Sequence, residues 1–141
     1  MSTVLWTNLL ENGVVRTDDA DKIALYRHTN KLDAITRRLA FGSFASLCDT
    51  TDMRFNLDDT LDLPEGMSST TEMMARDGAW FDVADAVTLM QRLIQRLREE
   101  KPRFGFLTND YDSVVSELED ALSFARSARE NAARFNFCVV M

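Results

Sequence analysis

The residues whose types and spacing could do chemistry in this chain are the carboxylates of one short stretch. Asp49, Asp52, Asp58, Asp59, Asp62 and Glu65 stand there among Met53, Phe55, Leu57, Leu61 and Leu63. Carboxylates gathered this closely have three uses. They can hold a hard cation, which needs several oxygens converging on one point. They can meet the lysines and arginines of a basic partner. Or they simply solvate a loop. The run Asp58-Asp59-Thr60-Leu61-Asp62 lacks the alternating ligands, the turn glycine and the distal glutamate of an EF-hand, so no metal is assigned to it. The partner reading has an anchor as well as a charge, because Phe55 or Leu57 can insert where the carboxylates steer. Met73 and Met74, on a short predicted helix just beyond, add adaptable thioether side chains. The candidate partner-binding residues are therefore Asp52, Phe55, Asp58, Asp59, Asp62, Met73 and Met74.

Other reactive groups are few. His28 is the only histidine, which removes multi-histidine metal sites and two-histidine catalysis by counting. It lies on an apolar helical stripe, so the ordinary reading is a core-edge imidazole with a hydrogen-bond partner. Cys48 could form a thiolate–imidazolium pair with it only if the fold brought the two together; burial is the simpler expectation for Cys48, and Cys138 sits in an apolar strand pattern as a small hydrophobe. There is no Walker motif, GxGxxG, GxSxG or HExxH. No catalytic residue and no cofactor is assigned, and the balance leans away from an enzyme.

The chain's charge narrows its partners. The formal net charge is −7, which disfavours nucleic acid, since phosphate binding requires a basic surface that releases counterions. The imbalance is local: residues 49–65 carry six carboxylates and one arginine, which accounts for five of the seven negative units. A basic protein is the partner such a segment favours. No apolar run approaches membrane-spanning length, and the N-terminal run Thr3 to Leu10 lacks a basic flank and a cleavage site, so neither a membrane nor a secretory role is expected. Two widely spaced cysteines do not make a disulfide framework, which points to a reduced, cytoplasmic setting.

The elements that must position these groups centre on residues 79–98. Asp82 is a good N-cap, and Val83, Val87, Met90, Ile94 and Leu97, widened by Ala86, Leu89 and Leu93, form one apolar face. Trp80 and Phe81 precede the cap and are expected to pack back over the first turns. Upstream, Thr3 to Leu10 reads as a strand, Glu11-Asn12-Gly13 as a hairpin turn, and Val14 to Arg16 as a short return strand. Thr17, Asp18 and Asp19 are alternative caps for a helix to about Ala40, with Gly42 beyond it. From Asp49 to Gly66 neither helical nor strand period is sustained, which predicts a long acidic loop of a length more often functional than shorter loops. Ser69 and Glu72 form a capping-box pattern for a short helix closed by Asp77-Gly78. Pro102 stops the central helix, Phe104-Gly105-Phe106 forms an apolar connector, and Thr108 or Asn109 caps a last helix carrying Tyr111, Val114, Val115, Leu118, Leu122 and Ala125. Phe135, Phe137, Val139 and Met141 then alternate as a strand does.

The resulting expectation is a single α+β domain spanning residues 1–141. A small, mostly antiparallel sheet of N-terminal hairpin plus C-terminal strand carries three main helices on one face. Three functional readings follow. The first is a small bacterial-type protein that binds a basic partner through the acidic loop, with the character of an inhibitor or immunity protein. The second is a small-ligand protein or enzyme with a pocket near His28, Trp80 and the acidic loop. The third is a homodimer joined through an unpaired final strand or the extra apolar positions at Ile23, Tyr26 and Phe124.

Overall fold

The computed structural model describes residues 2–40 and 42–141. Strand β1 (Val4–Glu11) turns at Asn12–Gly13 into β2 (Val14–Lys22). Both turn residues have positive φ, 53° and 75°, the backbone that a tight hairpin twisting with its strands requires. The C-terminal strand β5 (Arg134–Val140) lies antiparallel to β1 from Val4↔Val140 to Leu10↔Arg134. Two dipeptide strands complete the sheet on the far side of β5: β3 (Cys48–Asp49) runs parallel to it and β4 (Phe81–Asp82) antiparallel. The strand order is β2-β1-β5-β3, with β4 also against β5. The fold is thus α+β with a mostly antiparallel sheet, as expected from hairpin and final strand.

The register sorts the side chains. Leu5, Thr7 and Leu9 lie opposite Val139, Phe137 and Phe135, and this face packs on the long helices. Helix α5 (Val83–Glu100) buries Val83, Ala86, Leu89, Met90, Leu93, Ile94 and Leu97. Its cap is Asp82, whose carboxylate accepts from the amides of Ala84 (2.9 Å) and Asp85 (3.3 Å). Helix α6 (Tyr111–Arg126) returns antiparallel to it: the Tyr111 hydroxyl donates to the Leu97 carbonyl at 3.1 Å, and Arg98 pairs with Glu119. Phe135 and Phe137 meet edge-on at 5.2 Å between centroids, and Phe44 leans on Phe137 at 5.4 Å. Each such pair adds about 0.5–1.5 kcal/mol beyond simple burial.

Four local expectations are corrected. First, β2 continues to Lys22, where a helix was expected from about Thr17. The polar sequence Thr17 to Lys22 forms strand because β1 pairs with Thr17, Asp18 and Lys22 on either side of an irregularity at Asp19–Asp21, where the Trp6 indole donates to Asp21 at 2.8 Å. Second, the helix that follows is two: α1 (Ile23–Arg27) and α2 (Thr29–Arg38), broken at His28. The Thr29 hydroxyl donates to the carbonyls of Leu25 and Tyr26, and Glu117 of α6 accepts the amides of Ala24 and Leu25. Third, the stretch 49–66 is not one long loop. Cys48–Asp49 is β3, Thr51–Leu57 is helix α3, and only residues 58–69 lack regular structure before α4 (Thr70–Asp77). Two helical turns are too few to show a period. Fourth, Trp80 packs elsewhere than the start of α5: its indole donates to the Met74 carbonyl at 2.8 Å, at the end of α4.

The final strand is also interior, flanked by β1 on one side and by β3 and β4 on the other, so it offers no free edge for dimerisation. The edges belong to β2 on one side and to the dipeptide strands β3 and β4 on the other.

Candidate functional site

The second sheet face carries Trp6, Asn8, Asn136 and Cys138, and α4 lies over it. A buried polar network holds this layer. The Asn8 amide donates to Asn136 Oδ1 at 2.9 Å and accepts from the Thr17 hydroxyl at 2.6 Å, while Asn136 donates to the Ala79 carbonyl at 2.9 Å. Each buried amide finds a partner, which is the condition for such groups to be tolerated in a core. Ser69 caps α4 by accepting the Glu72 amide at 3.2 Å, the contact its capping-box pattern implied.

Asp49 is what ties the segment down. It is 4% exposed, and its two oxygens accept from the amides of Thr51 (2.9 Å) and Ala79 (2.8 Å). One carboxylate thereby fixes both the entry to α3 and the chain leaving α4. Gly78 is required beside it: a side chain there would set its first carbon 2.5 Å from the Met74 carbonyl oxygen and 2.9 Å from Asp49 Oδ2. One of the six acids of the stretch is therefore structural.

The other acids divide by role. Asp52, in the first turn of α3, accepts from the Thr70 hydroxyl (2.8 Å) and the Asn56 amide (2.9 Å), which joins α3 to α4. Asp58 is exposed and closes a turn on the amide and hydroxyl of Thr60, and the Thr60 hydroxyl holds its carboxyl below the usual range. Asp59, Asp62 and Glu65 are exposed. None of the described ion pairs involves a residue between 49 and 69, whereas eight of the seventeen carboxylates elsewhere enter one.

Of the remaining candidates, Phe55 is half-buried on α3 and Met73 is half-buried on α4, beside Arg76. Met74 is not at the surface: it is 5% exposed, and its sulfur faces the Asn8 amide. Helical spacing puts consecutive methionines on different faces, and here the second one faces the sheet.

Between α3, α4 and this sheet face lies a cleft of about 320 Å³. Trp6, Met74, Cys138 and Val140 supply apolar surface, Asn8, Thr17, Thr70 and Thr71 polar surface, and Asp19 and Asp52 the two carboxylates. Asp19 comes from β2, so the acidic face draws on two distant segments. Sequence counting missed this contribution because residues 1–48 sum to a charge of +1, which hides the run Asp18-Asp19-Ala20-Asp21.

His28 and Trp80 have separate surroundings. The imidazole Nε2 lies 2.8 Å from Asp110, which also pairs with Arg27 at 2.9 Å, and its ring meets Phe104 edge-on at 5.3 Å. These neighbours keep the Asp110 carboxyl below the usual range, the bond to His28 foremost. Both cysteines are free thiols. Burial pushes Cys48 up to about 12, and Cys138 is also raised by burial, so both are protonated at neutral pH and poor nucleophiles. Among the described residues, no group of three or more His, Cys, Asp or Glu is gathered to hold a metal ion, and no helix is long and apolar enough to cross a membrane. Compared with known protein families, curated proteins and solved structures, the chain matches none.

Proposed function

We propose that the chain is a protein-binding module whose acidic face docks a basic partner, in the manner of an inhibitor or immunity-type protein. The observation that carries this reading is the exposed set Asp58, Asp59, Asp62 and Glu65, none of which enters a described ion pair, carried on the segment between α3 and α4. Uncompensated carboxylates raise the local negative potential and steer a cationic surface toward it; charge pairs formed there contribute more to encounter rate and specificity than to raw affinity. Half-buried Phe55 and Met73 supply apolar contact beside them. The test is quantitative capture from lysate at low and at high salt, comparing the chain with Asp58→Asn/Asp59→Asn/Asp62→Asn. The reading expects a salt-sensitive partner that the triple variant captures at least about tenfold less well. Equal capture by both proteins would remove it.

The cleft favours a second reading, a small cationic ligand seated between Asp19 and Asp52 over the Trp6 indole. A screen of amines and guanidines by thermal shift tests it, since a ligand that binds only the native state raises the melting temperature. The shift should be lost in Asp19→Asn; an absence of any shift would dismiss this reading and leave the first intact.

A further inference from the structure

The cleft between α3, α4 and the Trp6 face of the sheet has a lining with one chemical bias. Its side-chain donors are spent inside the protein. The Trp6 indole N–H donates to Asp21 (2.8 Å), the Asn8 amide to Asn136 (2.9 Å), the Thr17 hydroxyl to Asn8 (2.6 Å) and the Thr70 hydroxyl to Asp52 (2.8 Å). What these groups leave for a guest is lone pairs, since a hydroxyl that has given its hydrogen still accepts. The Asp52 oxygens take one hydrogen bond each, from Thr70 and Asn56, and keep capacity for another. Asp19 is exposed on β2 and enters none of the described ion pairs. Thr71, exposed on α4, adds a hydroxyl that can accept.

No lysine, arginine or histidine lines the space, so a cation entering it meets no like charge on its walls. The positive end of α4 is near, because Thr70 and Thr71 open that helix. Its first turn carries Glu72, however, and Ser69 caps it.

A lining of acceptors sorts ligands by their donors. An ammonium presents three N–H groups on a compact, strongly hydrated charge; a guanidinium presents five in one plane, has no acceptor of its own and offers two flat faces. Two features of the cleft match the plane. The carboxylates of Asp19 and Asp52 come from different elements, β2 and α3, and can take N–H groups from two edges of one flat cation. Trp6, held at its N–H by Asp21, is a fixed aromatic wall, and a guanidinium stacks on an indole where an ammonium cannot. The volume of about 320 Å³ is at the small end of ligand pockets, which suits a guanidinium with a short stem. We propose that the cleft selects a guanidinium group over an alkylammonium of equal size. This rests on the cleft being a cation site and adds the class of cation it takes.

The experiment is an NMR titration of the full chain with the chloride salts of methylguanidinium, butylammonium and Nα-acetyl-arginine methylamide at low ionic strength. The signals followed are the Trp6 indole N–H and the Asn8 side-chain amide. Methylguanidinium should move both and bind at least about fivefold more tightly than butylammonium. Asp19→Asn and Asp52→Asn should each weaken it at least about threefold. Asp112→Asn, which removes the same charge from the exposed start of α6, should not. Asp19, being exposed, carries this arm alone if Asp52→Asn unsettles the join between α3 and α4. Tighter binding of the blocked arginine than of methylguanidinium assigns the group to an arginine side chain of a partner; equal or weaker binding assigns it to a free guanidine. Equal affinity for butylammonium and methylguanidinium would overturn the choice of guanidinium while leaving a cation site in place. No movement at Trp6 and Asn8 with any of the three up to about 50 mM would overturn both.

Discussion

Replacing Asp49 with Asn tests the physical account of the acidic segment most sharply, because shape is kept while charge and one acceptor are removed. The carboxylate is buried and accepts two amides, Thr51 at 2.9 Å and Ala79 at 2.8 Å. Hydrogen bonds to a charged group contribute about 1.5–3 kcal/mol each, and a buried donor left unpaired costs about 1–3 kcal/mol. Asparagine keeps one of the two bonds and turns an NH₂ toward the other amide, donor against donor. The expected loss is about 2–3 kcal/mol, a large share of a domain's usual stability. In urea, with a slope of about 1–3 kcal/mol per molar, the midpoint should fall by about 1 M while the slope stays constant. Hydrogen exchange should quicken first at residues 50–57 and 78–80. By contrast, Asp59→Asn and Asp62→Asn, both exposed, should stay within about 0.5 kcal/mol of the parent. An Asp49→Asn protein within about 0.5 kcal/mol of the parent would refute the claim that this carboxylate fastens α3 to the end of α4.

Other outcomes follow from the same contacts. Gly78→Ala should cost about 1–3 kcal/mol by urea unfolding, since the atom it meets is a backbone oxygen that cannot swing away. Phe104→Ala should cost about 3–5 kcal/mol and loosen the loop between α5 and α6, seen as faster exchange at residues 103–110. The Asp110 carboxyl is depressed in the folded chain, so the stability it contributes is complete above the ordinary aspartate range near pH ~4 and is lost as pH falls through the lower folded value. Asp110→Asn should therefore flatten the acid limb of a stability-versus-pH curve; an unchanged limb would remove Asp110 from that role. With Cys48, half-buried, pushed up to about 12 and buried Cys138 also raised, both thiols should react slowly with a disulfide reagent at pH 7 until the chain unfolds, and rapid labelling of the native protein would contradict those raised values.

What the sequence disclosed, and what it withheld, follows from where each element's stability resides. Helix α5 was legible because its apolar spacing runs for five turns and Asp82 caps it locally; the Asn12–Gly13 hairpin and the Ser69 cap were legible for the same reason, each resting on near neighbours. The extent of β2 was not, since Thr17 to Lys22 is strand only by virtue of β1 beside it. Helix α3 has too few turns for periodicity and is held by Asp49 and Thr70 across the sequence. In the candidate site, composition located the acidic surface but could not separate buried Asp49 from its exposed neighbours, turn Met74 inward, or add Asp19 from another strand. Phe106 reads as an ordinary connector residue because apolar type alone does not reveal exposure.

The measurement that bears most directly on the acidic-face reading is hydrogen exchange of the whole chain with and without a captured basic partner, at matched low salt. The account predicts protection concentrated at residues 51–74, weakened by salt and lost with Asp58→Asn/Asp59→Asn/Asp62→Asn. Protection confined to other surfaces, or unaltered by that triple change, would contradict it.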